Sequence, residues 1–118
     1  MLRNDSRDRA FLAVGSGTVT DIVRFVTLQT GSPFISLPTA PSVDGYTSPI
    51  TPMVIKRLKI TAPGHLPQAI FAGLDVLRAA PRAMIAAGVG DVIAKWTSTA
   101  DWKLGALLWG DRFDEVIS

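Results

Sequence analysis

Residues 11–38 constrain the fold of this 118-residue chain more than any other stretch. Phe11, Leu12, Ala13 and Val14 form a short apolar run that breaks at Gly15-Ser16-Gly17-Thr18, after which Val19, Ile22, Val23 and Val26 recur at helical spacing. The pattern predicts a strand, a tight glycine turn and an amphipathic helix. Gly31 suits the C′ position of that helix, because glycine takes left-handed backbone without a Cβ penalty, and Pro33 bars continuation. The helix is therefore expected to end near Thr30. A second apolar run over residues 34–37 stops at Pro38, and a strand-helix-strand order with such short connections implies a parallel pair joined by a right-handed crossover. This is half of an open α/β sheet.

The composition agrees with a packed domain. Apolar residues at 47% and charged residues at 19% exclude a disordered, solvating chain. The net charge of +2 gives no support to nucleic-acid binding. The longest apolar stretches, residues 83–89 and 105–109, fall far short of the ~20 residues of a membrane span. Residues 1–9 alternate Arg3, Arg7 and Arg9 with Asp5 and Asp8 and lack the apolar centre of a secretory signal. With no cysteine there is neither a disulfide framework nor a thiolate metal site, and the cytoplasm is the expected compartment. The length makes one domain and is too small for two full-sized ones.

Farther along, residues 38–52 hold four prolines and one glycine among hydroxyl residues, the composition of a long irregular loop, and loops of that length are usually functional. Met53, Val54 and Ile55 with Leu58 and Ile60 read as a small strand pair with a basic tip at Lys56, Arg57 and Lys59. Such a tip could approach a phosphate, but a solvated edge that discourages strand pairing accounts for it better. Residues 69–72 offer a further buried strand, with Asp75 capping a short turn through Ala80. Pro81 suits a helix N1 position, and residues 82–109 are mostly helical, with Gly88 and Gly90 dividing them into two pieces that meet near Asp91. Trp96, Trp102 and Trp109 fall on roughly one side and are expected to pack a helical core. The expected boundary lies near residue 80, between an α/β unit over 1–80 and a helical unit over 81–118.

A Gly15-x-Gly17 turn between strand and helix lets backbone approach a phosphate, and the helix N-terminus adds free N–H groups and partial positive charge. The usual dinucleotide fingerprint wants a third glycine at position 20, where Thr20 stands, and an acid about 20 residues on, where Leu37 and Pro38 stand. On the motif alone, a plain tight turn reads equally well. Asp21 alone is a first-turn dipole partner, Asp44 before Gly45 an Asx-turn, and Asp91 beside glycines an N-cap. His65, alone in a Gly-His-Leu-Pro loop, reads as a solvated side chain or a local hydrogen-bonding group.

Three blocks taken in order change these odds. They are Gly15-Ser16-Gly17-Thr18 with Asp21; Pro38-Thr39-Ala40-Pro41-Ser42-Val43-Asp44-Gly45; and Ala86-Ala87-Gly88-Val89-Gly90-Asp91 followed by Lys95 and Ala100-Asp101-Trp102-Lys103. Together they resemble the glycerol-1-phosphate dehydrogenase branch of the iron-containing alcohol dehydrogenase and glycerol dehydrogenase superfamily, over nearly the whole chain from Ala10. The resemblance implies a dehydroquinate synthase-like fold, with part of a Rossmann-like parallel sheet followed by the first helices of an all-helical metal-binding domain.

It also implies site residues. Gly15, Gly17, Thr18, Val19, Thr20 and Asp21 would line the pyrophosphate of NAD(P). Thr39, Ala40, Pro41, Ser42 and Ser48 would contact its nicotinamide half. Asp44 would meet the substrate, and Asp91 would meet both the substrate and a catalytic divalent metal, zinc or nickel, whose histidine ligands this sequence does not contain. The implied reaction is hydride transfer between NAD(P)H and dihydroxyacetone phosphate, giving sn-glycerol 1-phosphate. The chain alone is expected to be inactive, and the full-length form to be a homo-oligomer. Two alternatives stay open: a glycerol or other polyol dehydrogenase of the same superfamily, and a non-catalytic nucleotide-binding remnant or interaction module.

Overall fold

A computed structural model of the chain describes residues 9–114. The arginine-rich opening, up to residue 8, lies outside the described residues, as do residues 115–118.

The expected strand-helix-strand unit is present. β1 (Phe11–Gly15), α1 (Gly17–Thr30) and β2 (Phe34–Pro38) follow in order, and β1 and β2 pair in parallel from Phe11 opposite Phe34 to Gly15 opposite Pro38. Because side chains alternate along a strand, Ala13, Phe34 and Ser36 share one face, and all three are fully buried. The opposite face leaves Leu12 and Val14 more than half exposed. α1 starts after Ser16 and ends at Gly31, whose φ of 67° is the left-handed cap anticipated from the sequence, its N–H bonded to Thr27 O. The side chains that α1 buries most fully are Thr20, Arg24 and Thr27, while Val19 and Ile22 remain exposed. The helical spacing is correct, but the buried stripe of α1 is polar.

The loop after β2 is shorter than its prolines suggest. β3 (Ile50–Ile55) and β4 (Leu58–Pro63) form an antiparallel hairpin running from Ile50 opposite Pro63 to Ile55 opposite Leu58. Pro52 belongs to a strand because a two-stranded sheet has only edges, where a missing N–H is tolerated. Lys56 and Arg57 both take left-handed backbone, with φ of 50° and 68°, as a two-residue primed turn requires. β5 (Ala69–Ile70) extends the parallel sheet on the far side of β2, giving the order β1-β2-β5. It is two residues long instead of the expected four. In α2 (Leu74–Arg78) the cap is Gly73, and Asp75 lies within the first turn.

α3 (Arg82–Trp109) is a single helix of 28 residues, not two pieces. A glycine costs a helix roughly 1 kcal/mol relative to alanine, which a long alanine-rich helix absorbs. Pro81 is its cap and not its first helical residue. Asp91 is consequently mid-helix, so it does not act as an N-cap. The tryptophans do not build a core either: Trp96 and Trp109 are 83% and 75% exposed, because no second long helix lies beside α3 among the described residues. Trp102 packs edge-on against Phe113 at 4.9 Å and donates its Nε1–H to Arg112 O. Among the described residues, no helix is long and apolar enough to cross a membrane.

Candidate functional site

The glycine turn and the proline-rich loop meet directly. Thr39 N–H bonds Gly15 O at 3.1 Å, joining the end of β1 to the start of the loop. The Thr20 N–H and hydroxyl both return to Ser16 O, and the first-turn N–H groups ahead of it point beyond the helix, as at any helix start. Asp21 lies one turn deeper, so it is not a first-turn dipole partner.

Its role is set by Arg24, a residue that the sequence patterns did not single out. Arg24 is 1% exposed. Its Nη1 donates to Asp21 Oδ1 and Ile50 O, both at 3.1 Å, and its Nη2 to Gly45 O at 2.7 Å and Tyr46 O at 3.2 Å. A buried charge is tolerated only when it is paired and hydrogen-bonded, and these contacts pin the loop and the start of β3 to α1. Burial holds the Asp21 carboxyl above the ordinary carboxylate range, against the pull of Arg24 and of a hydrogen bond from Thr51. The signal was a lone charge among Ile22, Val23, Phe25 and Val26, three residues after an aspartate.

The other side of the loop is gripped by α3. Asp44 N–H donates to Asp91 Oδ2 at 2.9 Å, and Lys95 Nζ sits 2.7 Å from Asp44 Oδ2. Asp91 and Lys95 are one turn apart, so one helical face holds both the backbone and the side chain of Asp44. The Asp44 carboxylate is thus committed to Lys95 and not to an Asx-turn. That hydrogen bond holds its pKa below the ordinary range and raises that of Lys95. One turn earlier, Gly88 lets the helix backbone touch the loop: a Cβ built there would lie 1.8 Å from Pro41 O.

Between these parts opens a cavity of about 450 Å³. Of the residues singled out from the sequence, it gathers Gly17, Thr20, Asp21, Asp44, Ser48 and Asp91. Gly15 and Thr39 act behind it as the tie between turn and loop, and Thr18, Val19, Ala40, Pro41 and Ser42 are not among its walls. The hairpin contributes Lys59 and Thr61, neither of which was expected there.

Among the described residues, no three His, Cys, Asp or Glu side chains cluster as metal ligands. His65 Nδ1 lies 3.1 Å from Ser32 O, a hydrogen bond to a residue 33 positions earlier in the chain and not a local one. A catalytic metal needs about three protein ligands, so these residues alone do not make a metal centre.

A family model described as iron-containing alcohol dehydrogenase matches residues 2–81. The chain belongs to the iron-containing alcohol dehydrogenase family. Within that family, a glycerol-1-phosphate dehydrogenase [NAD(P)+] from Bacillus subtilis is 52% identical over 102 residues, which cover 86% of this chain and 26% of the relative. One of the same name from Geobacillus thermodenitrificans is 57% identical over 94 residues, covering 80% and 23%. The chain thus spans about a quarter of the length of the curated relatives it matches. Its fold is similar to that of the solved glycerol dehydrogenase from Schizosaccharomyces pombe, with a TM-score of 0.70 at 25% identity over 83% of this chain and 25% of that one. The α/β fold expected for this family is borne out, with its parallel sheet followed by a helical segment.

Proposed function

We propose that these residues form the cofactor turn and part of the substrate wall of an NAD(P)-dependent glycerol-1-phosphate dehydrogenase. The observation that carries the reading is the convergence of the α1 N-terminus, Asp44 and Asp91 on one cavity, in a chain about half identical to relatives of that name. The reaction would move a hydride between NAD(P)H and dihydroxyacetone phosphate, giving sn-glycerol 1-phosphate in the cytoplasm.

Residues 17–21 would take the pyrophosphate of the cofactor. The first-turn N–H groups supply donors there, and the helix dipole favours negative charge. Thr39, tied to Gly15, would continue with Ala40, Pro41, Ser42 and Ser48 toward the nicotinamide. Asp44 and Asp91 would face the reacting carbon end of the substrate. The bond from Asp44 N–H fixes one Asp91 oxygen in place, so the carboxylate is already oriented when a ligand arrives. Asp91 would contribute one ligand to a zinc or nickel ion whose other ligands lie outside this chain. Such an ion polarises a carbonyl oxygen when bound.

Two measurements test this reading. Calorimetry of the chain with NADH is expected to show binding without turnover, and the product of the complete reading frame that encodes these residues is expected to oxidise NADH with dihydroxyacetone phosphate. No NADH binding by either protein would refute it. The fold likeness to a glycerol dehydrogenase favours polyol oxidation as the second reading. Turnover with glycerol and none with dihydroxyacetone phosphate would select it.

A further inference from the structure

We propose that Lys59 is a phosphate-binding cation of the cavity, placed to hold a phosphoryl oxygen of the bound ligand. The inference rests on the reading above that the ligand carries phosphate, and it names the side chain that meets it.

The first argument is strand geometry. In the hairpin Lys59 stands opposite Val54 and Thr61 opposite Pro52. Residues two apart on a strand share a face, so Lys59 and Thr61 lie on the same side as Pro52 and Ile50. All four line the cavity. Lys56 and Arg57 occupy the turn itself and do not. The three basic residues are therefore not one solvated tip: two are, and the third, itself exposed, stands on the cavity side of the hairpin.

The second argument is charge accounting. Among the described residues, two cations besides Lys59 stand at or beside the cavity, and both are committed. Arg24 spends both Nη groups on Asp21 and three carbonyl oxygens, leaving only its buried Nε without a partner among the described residues, and Lys95 is paired with Asp44 at 2.7 Å. The Lys59 side chain makes no ion pair or hydrogen bond with any described residue. Among the described charged groups at or beside the cavity, pairing off Asp21 with Arg24 and Asp44 with Lys95 leaves Asp91 and Lys59. A phosphate entering beside Asp91 meets like charge unless a cation accompanies it, and among the described residues Lys59 is the cation there without an ion pair. Its ammonium is a compact charge on a flexible four-carbon stem that can reach into the space. The Thr61 hydroxyl beside it supplies a further donor, and the α1 N-terminus, at Gly17 on the same cavity, favours the same sign of ligand.

The test titrates the 118-residue chain with inorganic pyrophosphate, NADH and dihydroxyacetone phosphate, in the parent and in Lys59→Gln, Lys59→Arg and Lys56→Gln. Lys56→Gln removes the same charge from the same hairpin outside the cavity. Lys59→Gln is expected to weaken at least one of these ligands by about tenfold, the scale of a charge-assisted hydrogen bond, with Lys59→Arg restoring part of the loss. Lys56→Gln is expected to stay within about twofold, as for a screened surface charge. The probe that loses affinity tells the source: the cofactor if NADH weakens, the substrate if dihydroxyacetone phosphate does. Lys59-dependent pyrophosphate binding without NADH binding would keep the assignment and remove the nucleotide reading. NADH and dihydroxyacetone phosphate binding indifferent to Lys59→Gln would keep that reading and overturn the assignment. Equal losses from Lys56→Gln and Lys59→Gln, or no binding of any probe by the parent, would also overturn it.

Discussion

Gly88→Ala and Gly90→Ala place the same methyl group two residues apart on one helix and should have opposite effects. At Gly90 nothing lies within 4 Å of the added Cβ, so the substitution brings only the helix-propensity gain, a stabilisation of roughly 0.5–1 kcal/mol. At Gly88 the Cβ would lie 1.8 Å from Pro41 O and 2.9 Å from Pro41 C. An ordinary carbon–oxygen contact is about 3.3 Å, so helix and loop must part by about 1.5 Å. Three residues farther along both segments, the 2.9 Å bond from Asp44 N–H to Asp91 Oδ2 would then stretch beyond hydrogen-bonding range. Forced overpacking costs about 1–3 kcal/mol, and the lost bond about 1 more in so exposed a place. Subtracting the propensity gain of about 1 leaves a net loss of roughly 1–3 kcal/mol. Urea denaturation followed by circular dichroism measures the difference, and hydrogen exchange of residues 39–48 reports whether the loop has left the helix. A Gly88→Ala variant as stable as Gly90→Ala, with unchanged protection of the loop, would refute the reasoning.

Other outcomes follow from the same contacts. Arg24→Met leaves the Asp21 carboxylate and three carbonyls without their buried donor and is expected to cost about 3 kcal/mol or more in urea denaturation; a loss below about 1 kcal/mol would show that the network is not structural. The grip on Asp44 depends on pH in two senses. Its lowered carboxyl pKa means that the tether is intact above the ordinary value of 3.8 and fails as pH falls through the lower folded value. The raised Lys95 value means that its contribution is complete below 10.5 and lost as pH rises through the higher folded value. Loop hydrogen exchange against pH checks both limits. Carboxyl NMR titration should find Asp21 protonating at a higher pH than Asp44, because burial raises one and Lys95 lowers the other. Zinc or nickel added to the chain alone is expected to bind weakly by calorimetry, Asp91 being one carboxylate without a set of ligands around it; submicromolar binding would contradict that.

The β1-α1-β2 unit was legible in detail because every signal for it is local: an apolar run, a glycine turn, a helical period and a glycine cap at Gly31. The hairpin was legible in its tip and less so in its length, since Pro52 looks like a loop residue until it is known to stand on an edge. Gly88 was misread because its reason is tertiary. Local propensity sees a helix breaker, whereas the fold uses a missing side chain against Pro41. Arg24 was invisible for a related reason: its acceptors at Gly45, Tyr46 and Ile50 lie more than 20 residues away and meet it only when the loop folds back. Lys59 was grouped with Lys56 and Arg57 by proximity along the chain, although strand periodicity separates them. Asp44 and Asp91 came from resemblance to a family, and the fold brings them to one hydrogen bond.

The seam at Gly88, Asp91 and Lys95 also has a mechanical side. At 1.5 Å per residue, α3 continues for about 32 Å from Gly88 to Trp109, and that length is mostly exposed. The helix is a cantilever clamped near its first third. A tilt of about 10° at the clamp would swing the Trp109 end by roughly 5–6 Å over that arm. Sub-ångström adjustments of the Pro41 to Asp44 backbone are therefore magnified along the beam, and whatever rests on its far end feels the state of a loop some 30 Å away.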